Sequence, residues 1–432
     1  MSIIETARLA RNASIRLAAV ESAQKNRALE AIRRAIADDA QAIFAANQQD
    51  LRQAEQEGLS APLLKRLKFD QNKIDEACAG IDALIRLEDP VGRTLSAIEL
   101  DTGLELYKVT CPIGVIGVIF ESRPDALVQI SCLCLKSGNA VLLKGGSEAL
   151  RTNRILSDTI MKAAAAAGLP NGWLGLLETR TDVAEMLHLD EYIDLIIPRG
   201  SNEFVRHIMN HTAIPVLGHA DGICHIYIDA QADIEMGVKI TVDSKCQYAA
   251  VCNAAETLLV HRTIAAAFLP KLKEAMDALQ VELRGCPLTR QIIPVKEATE
   301  QDWKTEYLDY ILSIKTVDSL TEAIDHINTY GSGHTDAIVT QSRQAALTFM
   351  NGVDSASVFW NASTRFADGF RYGLGAEVGI STNKIHARGP VGLEGLLIYK
   401  WHLAGSGHIV ADYVGPNAKK YTHRKLNKDW IF

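Results

Sequence analysis

The 432-residue chain carries a formal net charge of −7, with 47% hydrophobic and 22% charged residues. That length exceeds one comfortable hydrophobic core, so two or three domains are expected, in a composition typical of globular proteins. The negative balance, with no dense Lys/Arg stripe, excludes a nucleic-acid surface, and no apolar run approaches the roughly 18 residues of a membrane span.

The eight cysteines show no zinc-ligand spacing: Cys132 and Cys134 are separated by one residue, and no C-x-x-C occurs. They read as reduced thiols of a cytoplasmic protein, and no metal site is expected. The opening Met1-Ser2-Ile3-Ile4-Glu5 has no charged-then-apolar leader, and the basic run Lys419-Lys420 to Lys428 reads as a solvated tail.

Residues 1 to about 90 have helical spacing. Leu29, Ile32 and Ile36 share one face while charges take the other, and Gly58 and Pro62 punctuate the region into several helices. Ala97-Ile98-Glu99-Leu100 and Leu104-Glu105-Leu106-Tyr107-Lys108-Val109, joined through Asp101-Thr102-Gly103, predict a β-hairpin. From 113 the period changes. Ile113-Gly114-Val115-Ile116-Gly117-Val118-Ile119-Phe120 is continuously apolar, as a strand covered on both faces would be.

Further strands are expected at 139–144, 173–177 and 194–197, each separated by helical stretches, with 224–228 closing the set. This alternation predicts an α/β, doubly wound parallel sheet with ligands at the carboxyl ends of its strands. No G-x-G-x-x-G follows any of them. A second alternating region follows, with strands at 310–315 and 336–340.

Between the two lies Val242-Asp243-Ser244-Lys245-Cys246-Gln247-Tyr248-Ala249-Ala250-Val251-Cys252-Asn253. Cys252 is read as preceding a helical turn over 253–256, whose exposed N–H groups would favour thiolate and make it a nucleophile for a carbonyl or acyl carbon. A strand is expected directly after, at 257–261.

Several runs occur in one order: Cys111-Pro112-Ile113-Gly114 to Glu121-Ser122-Arg123-Pro124, Leu217-Gly218-His219, Asp221-Gly222-Ile223-Cys224-His225, Gly331-Ser332-Gly333-His334-Thr335-Asp336, Asn361-Ala362-Ser363-Thr364-Arg365-Phe366 and Glu377-Val378-Gly379-Ile380-Ser381-Thr382. With Gln247, Cys252 and Asn253 they resemble the aldehyde dehydrogenase superfamily, and within it the gamma-glutamyl phosphate reductase branch. That resemblance implies an aldehyde dehydrogenase-like fold and NADPH-dependent reduction of L-glutamyl 5-phosphate to L-glutamate 5-semialdehyde, through a Cys252 thioester, as a step of proline biosynthesis. The implied division is a cofactor-binding unit over 1–94 and 113–229, a catalytic unit over 230–392, and an oligomerisation arm over 95–112 and 393–432.

The resemblance also carries expectations for individual residues. Asn253, or the backbone N–H of Cys252, would meet the acyl oxyanion, since Ser122-Arg123 occupies the place of the superfamily's usual Asn donor. Lys144, Gly145, Ser147, Gly200, Ser201 and Glu306 would hold the cofactor, NADP(H), with the small neutral Ser147 leaving room for a 2′-phosphate. Arg123, Arg199, His219, His225 and Asn361 would contact substrate. Asp221, His334, Ser363, Thr364, Arg365 and Arg371 remain open as further contacts. Val216 occupies the position of the Glu that activates water in hydrolytic relatives, which favours a thioester protected from water. The rival readings are a hydrolytic aldehyde dehydrogenase, in which His219 replaces that base, and a catalytically silent scaffold for glutamate 5-kinase. Expected partners are the small-molecule substrate, further copies of the chain and that kinase.

Overall fold

The helical amino-terminal region begins where its sequence allows a cap. The Ser2 hydroxyl accepts the Glu5 N–H while the Glu5 carboxylate accepts the Ser2 N–H, closing a capping box on helix α1 (Ile3–Leu17). Helices α2 (Ser22–Asp38), α3 (Ala40–Gln56), α4 (Ala61–Leu67) and α5 (Gln71–Arg86) follow, and Gly58 sits just beyond α3 with φ of +77°. The predicted stripe on α2 is buried: Leu29, Ile32 and Ile36 all pack into the core beneath the first parallel sheet. The computed structural model describes residues 2–219, 221–374 and 376–431.

The hairpin is present as strands β1 (Thr94–Asp101) and β2 (Leu104–Pro112), turning through Thr102 and Gly103. Next come β3 (Val115–Phe120), α6 (Pro124–Lys136), β4 (Ala140–Lys144), α7 (Leu150–Ala166), β5 (Leu174–Leu177), α8 (Arg180–Met186), β6 (Leu195–Arg199) and α9 (Asn202–Asn210). These strands form a parallel sheet of order β5-β4-β3-β6. Every residue of β3 and β4 is buried, as expected of strands covered on both faces.

The second sheet uses β7 (Cys224–Ile228), β8 (Ala255–His261), β9 (Glu282–Gly285), β10 (Lys296–Glu297), β11 (Ile311–Val317), β12 (Thr335–Val339) and β13 (Ser357–Trp360), all parallel, in the order β10-β9-β11-β8-β7-β12-β13. Helix α10 (Ile234–Cys246) links β7 to the nucleophile turn. A small pair, β14 (Gly379–Ser381) and β15 (Gly389–Val391), precedes β16 (Leu397–Ala404) and β17 (Arg424–Leu426). These last two flank the hairpin in the order β16-β2-β1-β17. No described helix is long and apolar enough to cross a membrane.

Two expectations are corrected. Strand 224–228 belongs to the second sheet, between β8 and β12, and not to the first. All-buried apolar strands look alike in both sheets, and one of the two neighbours comes from far along the chain: β12 pairs with β7, and its Asp336 accepts both the backbone N–H and the ring nitrogen of His225. The helical turn expected over 253–256 is instead a tight turn running into β8. Pairing with β7 and β11 on either side overrides the helical preference of Ala254 and Ala255.

The loop leading into β11 is fastened by Asp302, which accepts from Arg284 at 2.6 Å, Tyr307 at 2.6 Å and the backbone and hydroxyl of Thr299. Although burial opposes it, hydrogen bonds from Thr299, Tyr307 and Arg284 hold this carboxyl below the usual carboxylate range. A depressed folded-state pKa contributes stability above the unfolded value near 3.8, and that contribution is lost as pH falls further. Asp302→Asn is therefore expected to cost about 2–4 kcal/mol at pH 7. The gap to wild type, read from denaturant midpoints, should close as pH drops below the unfolded value; a pH-independent gap would contradict this account.

Candidate active site

The reactive residues gather where the carboxyl edge of the first sheet faces the amino edge of the second. Lys144 and Arg199 end β4 and β6, and Ser122 follows β3 by two residues. Across from them, Cys252 lies three residues before β8, while Cys224 opens β7 and His334 immediately precedes β12. Ligands at carboxyl ends thus describes only the first sheet; the nucleophile stands at the opposite end of its own.

The turn carrying Cys252 is pinned from several directions. The Cys224 thiol, kept protonated by burial, donates to the Cys252 carbonyl at 3.2 Å. The Thr364 hydroxyl donates to the Asn253 carbonyl at 2.7 Å, and the Asn253 side-chain amide donates to Ala367 at 2.8 Å. Gly222 passes so close that a Cβ there would lie 2.3 Å from the Cys252 carbonyl oxygen and 2.6 Å from the Glu306 carboxylate.

Around the half-buried thiol stand His219 and His334, with one ligand-capable atom from each of the three residues within 4.8 Å of the others. His219 Nδ1 bonds the Ile380 carbonyl at 2.9 Å, which makes Nδ1 the donor and leaves Nε2 as a base. His334 is buried, its Nδ1 bonded to the Thr335 hydroxyl at 2.8 Å and its Nε2 without a protein partner. Two arginines add positive charge. Burial lowers the pKa of Arg199, as does neighbouring Arg123, while Glu377, Asp125 and Cys252 oppose the shift. Burial and Arg371 do the same to Arg365, opposed by Cys252. Arg365 Nε donates to the Gln247 side chain at 2.9 Å, which orients the guanidinium. These cations and imidazoles surround the thiol in place of the helix start anticipated for it.

Other predicted residues fall as follows. Lys144 is buried, its ammonium 2.5 Å from the Gly145 carbonyl, and the exposed Ser147 opens a short 3-10 turn. The next residue, Glu148, is turned away onto Ser122, accepting from its backbone N–H at 2.7 Å and from its hydroxyl. Ser122 is buried with φ of +38°, a strained conformation at the strand end. Gly200 precedes Ser201, which caps α9 by accepting the Phe204 N–H at 3.4 Å. Glu306 accepts from Asn202, the first residue of α9, at 2.5 Å, and Asn202 also reaches Asp221, the partner of Arg206. Arg123 is exposed near Asp125.

Three site expectations meet other geometry. Asn253 gives one amide N–H to Ala367, holding the turn. His225 is wholly buried inside β7 against Asp336, its ring edge-on to His326, whose own pKa burial pulls down to about 2. Asn361 extends the β12–β13 ladder, its carbonyl accepting from the Thr340 N–H at 2.9 Å and its amide donating to the Thr340 carbonyl at 3.0 Å. Ser363 and Thr364 likewise serve structure, bonding Ser244 beneath the nucleophile turn. Cys246 points its thiol at the Met276 thioether. Glu377, beside Arg199 and raised in pKa by burial, was missed as a site residue although its motif was noted.

Residues 3–309 match the family model described as the aldehyde dehydrogenase family. The gamma-glutamyl phosphate reductase of Pelotomaculum thermopropionicum is 67% identical over 430 residues, covering 100% of this chain and 99% of the relative. That of Acetivibrio thermocellus is 64% identical over 430 residues, covering all of both chains. The crystal structure of the Thermotoga maritima gamma-glutamyl phosphate reductase superposes with a TM-score of 0.93 at 40% identity, covering 95% of this chain and 100% of that one. The chain therefore belongs to the aldehyde dehydrogenase family, in its gamma-glutamyl phosphate reductase branch.

Proposed function

We propose that the protein reduces L-glutamyl 5-phosphate to L-glutamate 5-semialdehyde with NADPH and release of phosphate, using Cys252 as nucleophile. The observation that carries this reading is a thiol flanked by two imidazoles and two partly desolvated arginines at the meeting of two sheet edges. His219 Nε2 takes the thiol proton; the thiolate attacks the acyl carbon, and the imidazolium returns its proton to the departing phosphate. Arg199 with Arg123 suits the phosphate, and Arg365 the substrate carboxylate, both being recognised through bidentate forks. The thiohemiacetal alkoxide collapses to the aldehyde as the thiolate leaves, and the backbone N–H of Cys252 and the second amide N–H of Asn253 are the predicted donors to that oxygen.

The first sheet fits a dinucleotide. Its carboxyl edge combines the buried Lys144, the small path Gly145-Gly146 and the Gly200-Ser201 entry to α9, where backbone N–H groups favour phosphate. When bound, the nicotinamide supplies the hydride that reduces the thioester. Ser147, with Glu148 drawn back by Ser122, supports NADP(H) over NAD(H), and Glu306 is assigned to the nicotinamide ribose.

Val216 supports a phosphate-releasing rather than water-consuming reaction. It bridges to Ile196, packs against the first core, and carries no carboxylate toward the thiol. His219 beside Cys252 favours the hydrolytic rival instead, and phosphate dependence separates the two. We further propose a cytoplasmic enzyme with three units, moving the cofactor–catalytic boundary from 229 to just before Cys224. The exposed row Tyr399, Trp401 and Leu403 on β16 supports the arm's role in self-association. The ready hydrolysis of acyl phosphates supports hand-over from glutamate 5-kinase.

In the reverse direction, semialdehyde, NADP⁺ and phosphate should give reduced nucleotide, with Cys252→Ala lowering the rate by at least about 10³-fold. Turnover without phosphate would establish the hydrolytic reading. Ser147→Glu is expected to shift kcat/KM from NADPH toward NADH by roughly 10–100-fold, about 1.4 kcal/mol per decade of like-charge repulsion; an unchanged ratio would remove Ser147 from cofactor choice. Trp401→Glu should lower the molar mass in light scattering to that of one chain, and an unchanged oligomer would clear β16 of that role.

A further inference from the structure

We infer that His219, Cys252 and His334 form a reversible zinc site that locks the nucleophile. Their ligand-capable atoms lie within 4.8 Å of one another, yet come from three segments more than thirty residues apart, which is why ligand spacing in the sequence concealed them. Two imidazoles and a thiolate are a donor set suited to zinc, with a fourth position left for water.

The independent observation is the state of the histidines. His334 is 1% exposed, and its Nε2 is buried with no protein partner. Buried polar atoms are nearly always bonded, so this nitrogen calls for a ligand. Both rings also have the outer contacts that metal-binding histidines use. His219 Nδ1 donates to the Ile380 carbonyl at 2.9 Å, and His334 Nδ1 is bonded to the Thr335 hydroxyl at 2.8 Å. His334 Nδ1 also lies 3.7 Å from the Cys224 thiol, and these contacts engage Nδ1 in each ring and leave Nε2 as the nitrogen open to a ligand.

A zinc tetrahedron has ligand–ligand edges of about 3.3–3.8 Å, from bonds of about 2.0–2.3 Å. The half-buried His219 and Cys252 side chains have to draw inward to reach it. Nearby Arg199 and Arg365 repel any dication, so hard ions such as Mg²⁺, which lack thiolate affinity, are excluded while zinc binds reversibly. On binding, Zn²⁺ displaces the thiol proton to solvent and forms the sulfur–zinc bond. The sulfur lone pair that would attack an acyl carbon is then occupied.

The test uses the full chain stripped of metal with chelator and titrated with Co²⁺, whose tetrahedral visible bands and near-ultraviolet thiolate charge-transfer band report the ligands. One equivalent should produce both bands, Zn²⁺ should bleach them, and Mg²⁺ should not. Cys252→Ser should lose the charge-transfer band, His219→Gln should weaken affinity by at least about tenfold, and Cys246→Ser should match wild type. Zn²⁺ should also protect Cys252 from iodoacetamide, read by peptide mass spectrometry, with chelator restoring alkylation. Absence of tetrahedral bands, or bands that persist in both Cys252→Ser and His219→Gln, would overturn the site. These readouts need no turnover, so they stand or fall separately from the proposed reaction.

Discussion

The site depends on holding one short turn, residues 251–254, against chain segments that arrive from elsewhere. A nucleophile must stay within a fraction of an ångström of its productive position, and a turn of this length cannot do that alone. Its carbonyls are therefore taken by Cys224 and Thr364, and the Asn253 amide by Ala367. Gly222 closes the fourth side, where any side chain would overlap the Cys252 carbonyl and displace Glu306. Through this contact the nucleophile and the residue assigned to the nicotinamide ribose share one support.

Beneath the turn lies a second support that is electrostatic. Lys245 and Glu256 are wholly buried and 2.5 Å apart, one at the end of α10 and the other in β8, bracketing Cys252 in sequence. Burial, with Glu306 nearby, pushes the Glu256 carboxyl up to about 7, while Lys245 and the Leu308 N–H draw it back. Buried pairs add little net stability but are costly to break, so they specify one arrangement rather than strengthen the fold. Here that arrangement fixes both ends of the nucleophile turn.

The sequence made the architecture legible wherever a signal was local. The hairpin at 94–112, the buried strand from 115 to 120 and the α2 stripe follow from periodicity and turn chemistry. The sheet assignment of β7 did not, because it rests on ladders to β8 and to β12, the latter more than one hundred residues away. The roles proposed for Cys252, Lys144 and Glu306 rest on motifs. By contrast, Asn253, His225 and Asn361 sit in the same motifs with side chains bonded to Ala367, Asp336 and Thr340, since adjacency in a run says nothing about which way an amide or imidazole turns. His334 and Arg365 stay among open alternatives for the same reason; the fold sets them beside Cys252 and Gln247, and bonds Ser363 and Thr364 to Ser244 and Asn253.

The arginines supply the last step. Arg199 and Arg365 are held where burial, and a neighbouring arginine in each case, disfavours their charge. The carboxylates nearby offset this only in part: burial raises the pKa of Glu377, which accepts the Gly369 N–H, and Asp368 accepts N–H groups of its own loop. Such a site is destabilised while empty and relieved by an anion, and the proposed substrate brings two, a phosphate and a carboxylate. The same positive field suits the oxyanion formed when Cys252 attacks an acyl carbon. With Val216 half-buried against the first core, no carboxylate at that position joins this field, as the proposed phosphate-releasing reaction requires.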